Sequence, residues 1–110
     1  MTNLSKYKAP SDSVKLSLID GQPFTITDVQ DNVYKDDDKE VPSVVITTEE
    51  TFSVNIEGDD IEANKFHTTR EVVVETLSNK QLREDLANGE TLKVKCEQPK
   101  GKRYFVLVDA

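Results

Sequence analysis

Apolar and polar residues alternate one for one in Val14-Lys15-Leu16-Ser17-Leu18 and again in Phe24-Thr25-Ile26-Thr27-Asp28-Val29. A period of two puts successive side chains on opposite faces of an extended chain. The second block therefore reads as a strand with one face toward a core, and the first as a short strand entry leading to it. Strand-like blocks recur at Val41 to Thr48, Thr51 to Ile56, Thr91 to Gln98 and Arg103 to Asp109. One stretch breaks this pattern. Between positions 69 and 87, Leu77, Leu82 and Leu86, with one or two of Val72 to Val74, supply the buried stripe of a helix.

Local signals set the boundaries. Asp20-Gly21 is a turn, and a change of register near Asp28-Val29 predicts a bulge that bends the strand it sits in. Asp31 to Glu40 reads as a charged loop, Glu49-Glu50 as a turn, and Gly58-Asp59-Asp60 as the end of a strand. Thr68-x-x-Glu71 and Ser78-x-x-Gln81 both match the capping box, predicting two short helices or one with a break near Ser78; Asn88-Gly89 stops them. The last two strands form a hairpin whose tip, Pro99-Lys100-Gly101-Lys102, is basic. The resulting order, β-β-β-α-β-β, is mainly β. Five strands with a helical insertion (about 69–87) between strands 3 and 4 is the order of the OB-fold, a partly open Greek-key barrel. A small β-sandwich has similar strands.

With 110 residues the chain makes one domain, expected over 14–110, preceded by a loosely held arm at 1–13. No run nears the roughly 18 apolar residues that span a bilayer, and Met1 to Lys6 lacks the apolar region of a secretory signal. The single cysteine, Cys96, allows no internal disulfide and fits a reducing cytosol. No enzyme signature emerges. The chain has one Cys and one His, no Walker loop or GxGxxG, and Asp36-Asp37-Asp38 lacks the ligand spacing of a calcium loop. No catalytic residue, cofactor or metal is expected, and Cys96 reads as a small core residue.

Net charge is −7, unevenly spread: residues 1–60 carry −8 and residues 61–110 carry +1. An acidic total argues against non-specific attraction to duplex DNA. A local cationic track survives it. Between Lys93 and Arg103 lie five basic residues and one acid, Glu97.

Four segments carry a resemblance: Leu18-Ile19-Asp20-Gly21-Gln22-Pro23-Phe24-Thr25-Ile26, Val44-Val45-Ile46-Thr47-Thr48, Phe66-His67-Thr68-Thr69 and Gly101-Lys102-Arg103-Tyr104-Phe105-Val106. Together, over roughly 14–109, the chain resembles small OB-fold single-stranded-DNA-binding proteins of phages and mobile elements of Gram-positive bacteria. The resemblance implies a cytoplasmic protein of a bacterial host. It would coat single-stranded DNA in phage or plasmid replication, recombination or transfer, beside replication or recombination proteins. The acidic C-terminal tail by which bacterial relatives recruit partners is not evident here.

Single-strand binding needs cations for phosphates and aromatic faces for bases. The expected phosphate path is Lys35, Lys65, Arg70, Lys93, Lys95, Lys100, Lys102 and Arg103, with Tyr34, Phe52 and Tyr104 stacking on bases. Tyr104 is expected outside and Phe105 inside. Phe52 alternates with Val54 and Ile56, which also suits the core, and in Lys65 to Arg70 the residues Thr68 and Phe66 also read as helix-starting machinery. The alternative function is an acidic adaptor or inhibitor module that binds protein and no nucleic acid. A homodimer through paired strand edges is open to a barrel this small.

Overall fold

Alternation becomes one curled six-stranded sheet, a mainly β, barrel-like fold with two helices. The computed structural model describes residues 13–36 and 38–110, with the backbone alone at 34–36. The arm expected at 1–13 lies outside the described residues except for Ser13. The strands are β1 (Val14–Lys15), β2 (Phe24–Asp36), β3 (Lys39–Ile56), β4 (Asp59–Thr68), β5 (Leu92–Glu97) and β6 (Val106–Asp109). Helices α1 (Glu71–Leu77) and α2 (Lys80–Ala87) join β4 to β5. Across the sheet the order is β1-β4-β3-β2-β5-β6, antiparallel except for the short parallel pair β1–β4.

The inward residues of the alternating blocks meet in one core. Phe24, Ile26, Ile46, Phe66 and Cys96 are fully buried, and Val73 and Leu77 of α1 and Leu86 of α2 close over them. Each large apolar side chain so buried contributes about 1.5–3 kcal/mol. The bulge in β2 is present: the register against β3 slips between Ile26 and Asp28, so Val29 rather than Asp28 returns to the core.

Three boundaries differ from expectation. The block Val14 to Leu18 is a strand for two residues only and then a 3₁₀ turn, Leu16–Ile19, which still buries Leu16 and Ile19. Asp31 to Glu40 is not a loop: β2 and β3 stay paired from Asp31↔Val44 out to Asp36↔Lys39. Glu49-Glu50 is not a turn between strands but part of one strand, β3. Between the pairs Thr47↔Lys65 and Phe52↔Ala63, β3 advances five residues while β4 advances two. Thr48 Oγ1 donates to Glu50 O (2.7 Å) and Asn64 O (3.2 Å), which satisfies the irregular backbone there. The chain therefore turns once, at Glu57-Gly58, where both φ values are positive (52° and 88°) as a two-residue type I′ hairpin requires. The strand that follows, β4, carries Lys65 to Thr68, so Phe66 and Thr68 belong to a strand before they lead into the helix.

The two-helix expectation holds, with different caps. Arg70, not Thr68, stands at the N-cap of α1 and makes no side-chain cap; Thr68 Oγ1 accepts instead from Arg70 N. Asn79, not Ser78, caps α2, its side chain accepting from Leu82 N. Asn88-Gly89 does end the helix, with Gly89 N donating to Leu86 O and Glu90 N to Asp85 O, a Schellman motif. Among the described residues no helix is long and apolar enough to cross a membrane.

Candidate nucleic-acid interface

The β5–β6 hairpin presents the most concentrated cations. Its strands register from Val94↔Asp109 to Glu97↔Val106, leaving residues 98–105 as a link. Lys102 N donates to Pro99 O (3.0 Å), closing a turn whose third residue, Gly101, has φ 78°; that is the type II geometry glycine permits. Gln98 Nε2 braces the same turn through Lys102 O at 2.8 Å. Lys100, Lys102 and Arg103 are exposed, and among the described residues none has a carboxylate within ion-pair distance. Tyr104 is 45% exposed, while Phe105 packs against the core. Both assignments match the expectation.

Below this link a groove of about 470 Å³ runs between α1 and the hairpin, lined by Arg70, Glu71, Val72, Glu75, Arg103, Tyr104 and Phe105. Its walls are unlike. One offers a cation and an aromatic ring; the other offers Glu71 and Glu75, neighbours one helical turn apart. An anion would be attracted by the first wall and repelled by the second.

Arg70 has other work. Its Nη1 and Nη2 donate to the two carboxylate oxygens of Asp20 at 2.6 and 2.8 Å, Nη1 also reaches Cys96 Sγ at 3.3 Å, and the guanidinium lies 3.7 Å above the Phe105 ring. The Asp20 hydrogen bond holds the guanidinium more firmly charged, against the opposing effect of burial. Burial, with a smaller push from Asp20, raises the Cys96 thiol against the opposing Arg70 contact. Cys96 is a core side chain, not a nucleophile poised as thiolate.

The remaining expected residues are dispersed. Lys93 is exposed on β5 opposite Thr25, where its charge is felt by Glu50. Lys95 faces Glu97 at 3.6 Å. Lys65 is half-buried on β4, opposite Thr47 and two strands from β2. Phe52 is half-buried and edge-on to Phe66, ring centroids 5.7 Å apart, so it packs against the core rather than standing out as a platform. Tyr34 and Lys35 lie in β2, paired at the backbone with Val41 and Glu40, and their side chains are outside the described residues.

Two further polar devices escaped the sequence reading. Glu50 accepts from Thr25 N (2.7 Å) and Thr25 Oγ1 (2.8 Å), pinning β3 to β2 beyond the bulge. Burial pushes the Glu50 carboxyl up, but these bonds, its own backbone and the Lys93 charge together bring it below the usual range. Arg83 donates to Asp31 at 2.7 Å and to Leu77 O at 2.6 Å, tying α2 to β2; that hydrogen bond draws the Asp31 carboxyl down. Only contact geometry reveals such partners, since Arg70 and Asp20 are fifty residues apart. His67 is half-buried, with Nδ1 2.8 Å from Ser13 Oγ; burial, then the nearby Lys15 charge, favours its neutral form.

No family model, curated protein or solved structure matches the chain.

Proposed function

We propose that the chain is an OB-type domain that binds single-stranded DNA with little sequence preference, acting where replication, recombination or transfer exposes a single strand. The observation that carries this reading is one exposed link bearing Lys100, Lys102, Arg103 and Tyr104, three cations and an aromatic face within five residues. Phosphates run along the cations and a base stacks on Tyr104, a contact that contributes about 1–3 kcal/mol. Connectivity supports the OB reading. The meander β2-β3-β4 is followed by helices, and β5 then returns to the free side of β2 with β6 beyond it. The link between the last two strands is one of the loops with which such barrels bind oligonucleotides.

Titration of labelled oligo-dT and of duplex DNA at several salt concentrations tests it. Preferential single-strand binding is expected, with log affinity falling by ~0.7 per neutralised phosphate for each unit of log salt. Absence of binding at low salt removes the proposal.

The second reading, a protein-binding adaptor, is favoured by a different observation. The β3–β4 hairpin carries six acids and no base between Glu49 and Glu62, with Ile61 40% exposed among them. Binding of a basic protein partner, with no oligonucleotide affinity, is its expected outcome.

A further inference from the structure

The described sheet is open. β1 and β6 are its two edges, and no backbone ladder joins β4 to β6. Arg70 stands at this seam, two residues after β4 ends, and its side chain reaches Phe105, the residue before β6 begins. We propose that Arg70 is a positioning residue for the basic link: it closes the seam by side-chain contact and so holds Tyr104, Arg103 and Lys102 in the shape that receives a single strand. The inference rests on the single-strand reading above.

The geometry assigns Arg70 this part instead of a phosphate contact. Both terminal nitrogens are spent on Asp20, one of them also on Cys96, and one face of the guanidinium is covered by Phe105. These bonds leave a phosphate only the second Nη2 hydrogen and Nε, beside the Asp20 carboxylate that repels it. Asp20 is itself fixed, because the next residue, Gly21, donates its N–H to Cys96 O at 2.8 Å. The chain from Gly21 through β5, Arg70 and Phe105 is therefore continuous. Within the link itself, Lys102 N bonds Pro99 O and Gln98 Nε2 bonds Lys102 O. Among the described residues Phe105 is the link's apolar anchor on the core side, and Tyr104 is the neighbour whose direction that anchor sets. Lysine cannot substitute: an ammonium neither forks to both carboxylate oxygens nor lies flat on a ring.

The test compares Arg70→Lys and Phe105→Leu with Arg103→Gln, reading amide hydrogen exchange of the DNA-free protein and oligo-dT affinity across a salt series. Expected for Arg70→Lys and Phe105→Leu is exchange about tenfold faster across 99–105 and affinity about tenfold weaker, which corresponds to one factor of ten in the opening equilibrium. The salt slope stays at the wild-type value, because no phosphate contact is lost. Expected for Arg103→Gln is unchanged exchange and a slope shallower by ~0.7. The assignment is overturned if a further variant, Arg70→Gln, makes the slope shallower by ~0.7 while exchange is unchanged, since Arg70 then contacts phosphate directly; Arg70→Lys keeps the charge and reports on geometry alone. Should Arg70→Lys fail to fold, Phe105→Leu decides by the same two readings. Should the wild type bind no oligonucleotide, the single-strand reading falls by itself; unchanged exchange in the variants would separately overturn the positioning role of Arg70.

Discussion

The β3–β4 and β5–β6 hairpins are built from the same sheet and made opposite in every other respect. From Glu49 to Glu62 the first carries six acids and no base; from Lys93 to Arg103 the second carries five bases and one acid. The first turns in two residues, Glu57-Gly58, with Asn55 accepting from Gly58 N (3.3 Å) and donating to Asp60 (3.1 Å). The second spends residues 98–105 between strands and props them with Arg70. A hairpin needs no long link to reverse direction. The longer, braced one is the hairpin on which the proposed single-strand site is placed, and the net charge of −7 describes neither. With strands about 5 Å apart, β3 and β5 lie about 10 Å apart across β2, close to the ~8 Å Debye length of physiological salt. Each hairpin's field is felt locally, and salt sets how far they interfere.

Reversing the basic link breaks the comparison most severely. Lys100→Glu, Lys102→Glu and Arg103→Glu together are expected to abolish oligo-dT binding at physiological salt. Neutralising the same three as glutamine should make the salt slope shallower by about 2, three contacts at ~0.7 each. Unchanged affinity in a salt-series titration of either triple variant would move the site elsewhere on the sheet. Next in size is Tyr104→Ala, expected to cost about 1–3 kcal/mol of binding with the slope unchanged, and to be restored by Tyr104→Phe. Fluorescence anisotropy measures both; a loss in Tyr104→Phe equal to that in Tyr104→Ala would mean that the hydroxyl, not the ring, makes the contact.

The same contrast explains what could be read from the chain in advance. β5 was legible because Leu92, Val94 and Cys96 alternate with lysines in strict phase, and the helices because leucines and Asn88-Gly89 give both period and stop. β4 was not. Its buried residues, Ala63, Phe66 and Thr68, change phase between 63 and 66, opposite the irregular stretch of β3, so no period of two survives. The charged composition of Asp31 to Glu40 predicts a loop. Backbone pairing between β2 and β3 continues there without apolar help, an outcome that composition does not encode. In the candidate site, exposure at Tyr104 followed from its phase against Phe105. The role of Arg70 did not, because its partners Asp20, Cys96 and Phe105 come from three distant segments.

Neutralising the acidic hairpin is a gentler test. Asp59→Asn with Asp60→Asn and Glu62→Gln removes three charges that no bound strand is expected to touch. Oligo-dT affinity should rise by less than about threefold at low salt and not at all near 0.15 M, where the Debye length has shortened to ~8 Å. Gains that persist at high salt would mean the acids stand in the path of the strand itself.

Glu50 gives the smallest effect and tests where the two hairpins meet, since it is the acid of the first that lies within the field of Lys93 on the second. Its carboxyl is held below its usual range in the folded chain, as is that of Asp31 beside Arg83. In each case the unfolded chain binds protons more readily as acid is added. The stabilisation is therefore complete above the ordinary carboxylate range and is lost as pH falls from that range down through the lowered folded values. Glu50→Gln keeps one acceptor for Thr25 but loses the charge, so about 1 kcal/mol of stability should disappear near neutral pH. Because the neutral amide does not titrate, the gap between variant and wild type should close as pH falls. Thermal unfolding of the two proteins from pH 3 to 7 measures it. A constant gap would place the stabilisation in the shape of the β2–β3 contact rather than in its charge.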